Sequence, residues 1–201
     1  SAHKTKAENI INKEHVMKKI VLAIIVSIFV ISAHAQEFTG NVNFLLGQKS
    51  LESDDWGDLD SQFAFAVLVD FKQEQWPVSI ALDFLGTYDD QTEMGIDIEG
   101  TTSEFDAGIR KIWAVSDGTI KPYIGGGIAF INAEIKAIDF FTVSDDDNAV
   151  GFWLNGGIYW TLNQHFNLGF DLRYSDAEVT LFGVDGEAGG TTAGIMVGYH
   201  W

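Results

Sequence analysis

Beyond Gln36 the chain alternates with a period of two, and no 3.6-residue period interrupts it. Large apolar side chains recur at every second position, with small, polar or charged residues between them. That pattern marks a strand with one apolar face. Eight such runs are present. The first sets Phe38, Val42, Phe44 and Leu46 against Thr39, Asn41 and Asn43. The second sets Phe63, Phe65, Val67, Val69 and Phe71 against Gln62, Ala64, Ala66 and Asp70. The third sets Val78, Ile80, Leu82 and Phe84 against Ser79, Ala81, Asp83 and Thr87. A weaker fourth run has Phe105, Ala107, Ile109 and Trp113 against Asp106, Gly108 and Arg110; Lys111 falls on its apolar face, near an end from which a long side chain can reach polar surroundings. The fifth has Ile120, Ile124, Ile128 and Phe130 against Lys121, Tyr123 and glycines, and the sixth has Val150, Phe152, Leu154, Ile158 and Trp160 against Gly151, Asn155, Gly157 and Tyr159. The seventh is Phe166, Leu168, Phe170, Leu172 and Tyr174 against Asn167, Gly169, Asp171, Arg173 and Ser175; the eighth is Ala193, Ile195, Val197, Tyr199 and Trp201 against Met196, Gly198 and His200.

The apolar face suits lipid better than a sandwich core. Its partner face carries Asp70, Asp83, Asp106, Arg110, Asp171 and Arg173 among glycine and alanine, as a narrow lumen packed with ion pairs would. Trp76, Trp113, Trp160, Tyr88, Tyr174, Tyr199 and Trp201 stand near strand ends, where interfacial aromatic girdles form. The connections alternate in length. Residues 72–76, 116–119 and 163–165 read as short turns, whereas 48–61, 89–103, 137–149 and 176–189 read as long loops. Short turns on the periplasmic side and long loops outside is the outer-membrane arrangement. The expected fold is therefore all-β: an eight-stranded antiparallel transmembrane up-and-down β-barrel, with an even strand count that leaves no edge in lipid. A soluble lipocalin-like binding barrel is the alternative, and it requires the apolar face to point inward.

The first 35 residues differ in kind. Met17-Lys18-Lys19 is a basic start, Ile20 to Ile31 is apolar except for Ser27, and Ala33-His34-Ala35 places small residues at a cleavage site. This is the order of a secretory signal, and the apolar run falls short of the ~20 residues that span a bilayer as a helix. The domain reading is 1–16 as an upstream extension outside the fold, 17–35 as a cleavable signal peptide, and 36–201 as the barrel.

Composition narrows the chemistry. Cysteine is absent from the 201 residues, which excludes disulfides, thiolate metal sites and cysteine nucleophiles. From Gln36 onward there are 27 Asp+Glu against 7 Lys+Arg, a surface that repels nucleic acid and attracts cations or a basic partner. Most acidic residues fall in the long loops, and the basic residues in or next to these loops are Lys49 and Lys136. Asp54, Asp55, Asp58 and Asp60 form one dense run and Asp145, Asp146 and Asp147 another. Both offer oxygens to calcium, yet neither follows the EF-hand order with its closing Glu, and a solvated acidic surface is the plainer reading. No cofactor is expected beyond divalent cations at the loops. Two histidines follow Gln36, His165 in a short turn and His200 beside the C-terminus, so neither can serve a nucleophile at the outer rim. Gly125-Gly126-Gly127 lies within a strand with no helix after it, which excludes a phosphate loop. The chain is expected not to be an enzyme.

Three stretches resemble the small outer-membrane β-barrel family that includes the OmpA transmembrane domain, OmpX and OmpW. Lys121-Pro122-Tyr123-Ile124-Gly125-Gly126-Gly127-Ile128 looks like the opening of a middle strand, and Phe166 to Ser175 is similar to the penultimate strand. Gly194 to Trp201, with Ile195, Val197, Tyr199 and Trp201 on one face, resembles the C-terminal signal read by the barrel-assembly machinery, with Trp in place of the commoner terminal Phe. The resemblance implies residence in the bacterial outer membrane among lipid and lipopolysaccharide, as a monomer. It leaves function open between a scaffold displaying acidic loops (in adhesion, envelope integrity or surface protection) and a narrow porin-like or OmpW-like channel for small solutes. An eight-stranded barrel is just wide enough for side chains to fill. Arg110 and Arg173 are expected to pair with Asp83, Asp106 and Asp171 there, because unpaired buried charge is costly.

Overall fold

The computed structural model describes residues 38–201 apart from 52–55, 57–58, 94–95 and 139–141. The signal sequence, the upstream extension and Gln36 lie outside the described residues, as do Asp54, Asp55 and Asp58. Eight strands close a barrel: β1 (Phe38–Ser50), β2 (Ser61–Gln73), β3 (Ser79–Glu93), β4 (Ile96–Ile112), β5 (Ile120–Ile138), β6 (Thr142–Leu162), β7 (Phe166–Asp176) and β10 (Gly190–His200). A two-stranded hairpin, β8 (Glu178–Leu181) and β9 (Val184–Glu187), stands between β7 and β10. The barrel strands pair antiparallel in chain order from β2 to β7, β10 adds to β7 after the β8–β9 hairpin, and the seam, also antiparallel, joins β1 to β10 from Asn41↔His200 to Ser50↔Thr191.

The alternation becomes a sidedness. Phe44, Phe65, Phe84, Ile109, Ile124, Leu154, Phe170 and Ile195 all face outward, and Phe170, mid-strand in β7, is 54% exposed. A soluble barrel could not leave these side chains in water, so the lipocalin-like alternative fails on the direction of the apolar face. On β5 the outward apolar run from Ile120 to Phe130 covers about 34 Å of strand, or roughly 25 Å of height at the usual tilt, which matches the hydrophobic band of an outer-membrane barrel. Trp76, Trp113 and Tyr199 are exposed near the short turns, and Tyr88 and Tyr174 near the opposite rim.

Two of the connections expected to be long loops are strand. β3 and β4 stay paired to Glu93↔Ile96, β4 and β5 to Asp97↔Ile138, and β5 and β6 to Ile138↔Thr142. On the other side pairing stops at Phe63↔Tyr88, Ser50↔Thr191 and Gly190↔Ser175. The barrel wall therefore stands taller along β3–β6. The sequence conceals this because no lipid faces the extension, so residues such as Asp145-Asp146-Asp147 carry no apolar alternation. Lys49, assigned to a loop by sequence, is instead a fully buried residue of β1. At the other end Leu162 and His165 close a tight turn, with both central residues, Asn163 (φ 49°) and Gln164 (φ 67°), in the left-handed region that matches the twist of a hairpin.

Candidate functional site: the filled lumen

Strand parity aims one side chain in two at the axis, and the two arginines arrive there from opposite walls. Arg110 of β4 donates to Asp83 Oδ2 of β3 at 2.6 Å and to Asp70 Oδ2 of β2 at 3.4 Å. Arg173 of β7 donates to Asp83 Oδ2 and to Asp106 Oδ2 of β4, with its Nε 3.9 Å from Asp171 Oδ1. Asp83 thus joins the two guanidiniums. All six charged side chains assigned to the lumen by sequence are buried in one network.

Aromatic residues complete it. The Trp153 indole lies within 5.1 Å of the Arg173 guanidinium and 6.0 Å of that of Arg110, and Tyr123 lies 5.3 Å beneath Arg110. The Tyr123 hydroxyl donates to Asp171 Oδ2 at 2.5 Å, and Asn155 Nδ2 donates to the same oxygen at 2.8 Å. Tyr123 fits because Gly157 faces it across β5 and β6: a Cβ at Gly157 would lie on the phenol ring. Sequence parity placed Tyr123 inward but gave no role to Trp153, whose bulk departs from the small-residue pattern of the inner face.

A second ion pair sits higher. Lys49 Nζ is 3.3 Å from Glu104 Oε2 and donates to the Ala188 carbonyl at 3.1 Å, while Ser175 Oγ donates to the same carboxylate oxygen at 3.0 Å. Sequence reasoning missed this pair, since Lys49 is flanked by the polar Gln48 and Ser50. In total eight charged side chains are buried among the described residues, five carboxylates against three cations. Glu104 Oε1, Asp106 Oδ1 and Asp171 Oδ1 are left without a hydrogen-bond partner.

Above the ions the lumen is dry. Leu51, Trp56 and Leu59 from the first long connection meet Ala177, Val179, Leu181 and Ala188 around the β8–β9 hairpin, over Ala129, Ile131, Ala133 and Trp153 of the wall. The Trp56 indole N–H donates to the Glu187 carbonyl at 2.6 Å, tying the two connections together. Acidic side chains secure the hairpin. Asp147 Oδ2 accepts the Thr180 N–H at 2.8 Å and Asp145 Oδ2 that of Phe182 at 2.5 Å. The Thr180 and Asn148 N–H groups together hold the Asp147 carboxyl below the usual carboxylate range. The candidate calcium ligands Asp145 and Asp147 thus serve as backbone acceptors, Asp146 is a neighbour on β6, and the Asp60 carbonyl accepts the Leu51 N–H. Among the described residues no three His, Cys, Asp or Glu side chains converge as a metal site.

The opposite mouth holds the histidines. His165 stacks on Tyr199 with ring centroids 5.3 Å apart, and His200 Nδ1 lies 2.9 Å from the Gly40 carbonyl. Lys111, placed by sequence on the apolar face, donates to the Pro77 carbonyl at 2.6 Å. The C-terminal residues Ile195, Val197 and Tyr199 face outward, and Trp201 closes the seam through reciprocal backbone bonds with Gly40. A Cβ on Gly40 would press on the Asp70 carbonyl oxygen and lie 2.5 Å from the Trp201 ring, so a side chain there would force the seam apart.

A family model described as "Outer membrane protein beta-barrel domain" matches residues 21–200. Among solved structures, the Neisserial surface protein A aligns over 81% of this chain and 94% of its own, with a TM-score of 0.53 and 13% identity. Ail, the attachment invasion locus protein of Yersinia pestis, aligns over 82% of this chain and 99% of its own, with a TM-score of 0.56 and 12% identity. Likeness at that identity is likeness of fold. No curated protein matches the sequence.

Proposed function

We propose a non-enzymatic surface role from this premise: the chain belongs to the outer membrane protein β-barrel family and resides in the bacterial outer membrane. The barrel is a membrane-embedded scaffold, and its work lies in the acidic loops and the taller β3–β6 wall that it displays outside the cell, in adhesion, envelope integrity or surface protection. One observation carries this reading. The interior is filled from the Asp70–Arg110 level to an apolar cap of Leu51, Trp56, Leu59, Val179 and Leu181, which leaves the loop surface as the part able to meet a partner outside the cell. Catalysis at the loop end is disfavoured because both histidines after Gln36 sit at the other end of the barrel.

Ail forms a complex with the heparin analogue sucrose octasulfate. The loop end here offers Asp89, Asp90, Glu99, Asp145, Asp146, Asp176, Glu178 and Asp185, so its partner is a basic surface, or lipopolysaccharide phosphate reached through divalent cations. Ile195, Val197, Tyr199 and Trp201 form the stripe that the barrel-assembly machinery reads, and the closed barrel works as a monomer. The test is single-channel conductance of the refolded chain in a planar bilayer. The expected record is silent. Discrete, reproducible cation-selective steps from verifiably folded protein would replace the scaffold with the narrow-channel reading.

A further inference from the structure

The short-turn mouth of the barrel is unlike the rest of this acidic molecule. A cavity of about 220 Å³ opens there, lined by Lys72 of β2, Ser79 of β3, Lys121 of β5, Tyr159 of β6 and His200 of β10. Strand parity points Lys72 and Lys121 inward, in step with Asp70 and Tyr123. Neither lysine forms an ion pair among the described residues, although carboxylates outnumber cations almost fourfold from Gln36 onward. Lys121 Nζ stands 5.9 Å over the Tyr159 ring. The Tyr159 hydroxyl is buried with no partner in hydrogen-bonding geometry, and the neighbouring Asn41 bonds Asp70 through its Nδ2 and accepts from Asn167 at its Oδ1. Asp70, the carboxylate facing the cavity, is likewise engaged by Arg110 and Asn41.

Two unpaired ammonium groups and an unpartnered phenol, brought to one small cavity from three strands, are a donor set without an acceptor. The Tyr159 hydroxyl is fully buried, and a buried donor without an acceptor is costly, while the half-buried ammonium groups add uncompensated positive charge beside it. We propose that this mouth is an anion site that takes a phosphate group. A carboxylate has two oxygens to offer. A phosphate has up to four, and can meet Lys72, Lys121 and the Tyr159 hydroxyl together while its charge balances the lysines. The group comes either from a soluble phosphate in the periplasm or from the headgroup of an inner-leaflet phospholipid, whose phosphodiester shares the anionic phosphorus–oxygen chemistry with two unesterified oxygens for the two lysines.

The experiment is a titration of inorganic phosphate into the folded full chain in an uncharged maltoside detergent, followed by the backbone amide resonances of Gly40, Ser79 and Ala114, with sodium chloride at matched ionic strength as control. Saturable shifts at these positions are expected, absent with chloride. Lys72→Gln and Lys121→Gln should each weaken the apparent affinity several-fold and their combination at least about tenfold. Tyr159→Phe keeps the ring and should weaken it less, and Lys136→Gln, at the far end of the barrel, should change nothing. Shifts that grow linearly with phosphate, that appear equally with chloride, or that survive the double lysine substitution overturn the site. Repeating the titration in phosphatidylglycerol nanodiscs separates the sources. Resonances already displaced before phosphate is added assign the site to the lipid headgroup, and resonances that move only on addition assign it to soluble phosphate.

Discussion

Arg173 touches carboxylates on three strands: Asp83, Asp106 and Asp171. Arg173→Ala would leave them facing one another in a closed interior, and losing one partner of a buried ion network costs about 3–5 kcal/mol. Urea titration of the refolded barrel should show a loss of that order. Arg173→Lys should recover only part of it, because a single ammonium cannot span two carboxylates as the guanidinium fork does. Lys49 and Glu104 give a sharper test of pairing. Lys49→Met alone strands Glu104 and should destabilise, whereas Lys49→Met with Glu104→Gln should recover most of the loss, a coupling that a double-mutant cycle measures. At this scale the sequence is informative wherever alternation is clean: Asp83 can only face inward when Leu82 and Phe84 face lipid. It is silent at Lys49, where polar neighbours hide the parity, and at Trp153, which is large and inward in a strand whose other inner residues include Asn155 and Gly157.

The β8–β9 hairpin shows what a strand pair needs in order to stay in place without barrel neighbours. Its Thr180 and Phe182 N–H groups are bonded to the Asp147 and Asp145 side chains of the raised part of β6, above the apolar belt. The Asp147 carboxyl ionises below the ordinary range in the folded chain, so its contribution is complete at neutral pH and is lost as pH falls through that lowered value. The protection factor of the Thr180 amide should fall on strong acidification while protection in β7 holds, and Asp147→Asn should lower it already at neutral pH. Equal protection of Thr180 in the variant and the parent would remove the carboxylate from the account. The hairpin was illegible in the sequence. Four-residue strands are too short to display a period, and Leu51, Trp56 and Leu59, which pack beside it, are scattered through a segment that reads as acidic loop.

For the whole molecule, the outward belt and the filled axis are one arrangement seen from two sides. A charge placed on the belt meets lipid, and its cost depends on depth. Phe170→Arg, in the middle of β7, should destabilise the barrel in phospholipid bilayers by about 2–4 kcal/mol, and Tyr174→Arg, at the rim, by about 0–1 kcal/mol. Equal costs at the two positions would deny that β7 crosses the bilayer in this register. Strand count, sidedness and the belt are legible because lipid on one face enforces period two across most of each strand. The extra height of β3–β6 is not, because water imposes no such rule above the membrane. Closure of the ring also sets a timetable. Seven of the barrel contacts join strands that follow one another along the chain or nearly so, but the seam joins Thr39 and Gly40 to Trp201, 162 residues away for the Thr39 hydroxyl bond. A contact of that sequence separation carries the largest entropic penalty of any in the fold and forms after the local pairings have shortened the path between its ends. Until it does, the acidic lumen lies open as one wall of an unfinished sheet, so the charges that end up buried stay in contact with solvent until the two edge strands meet.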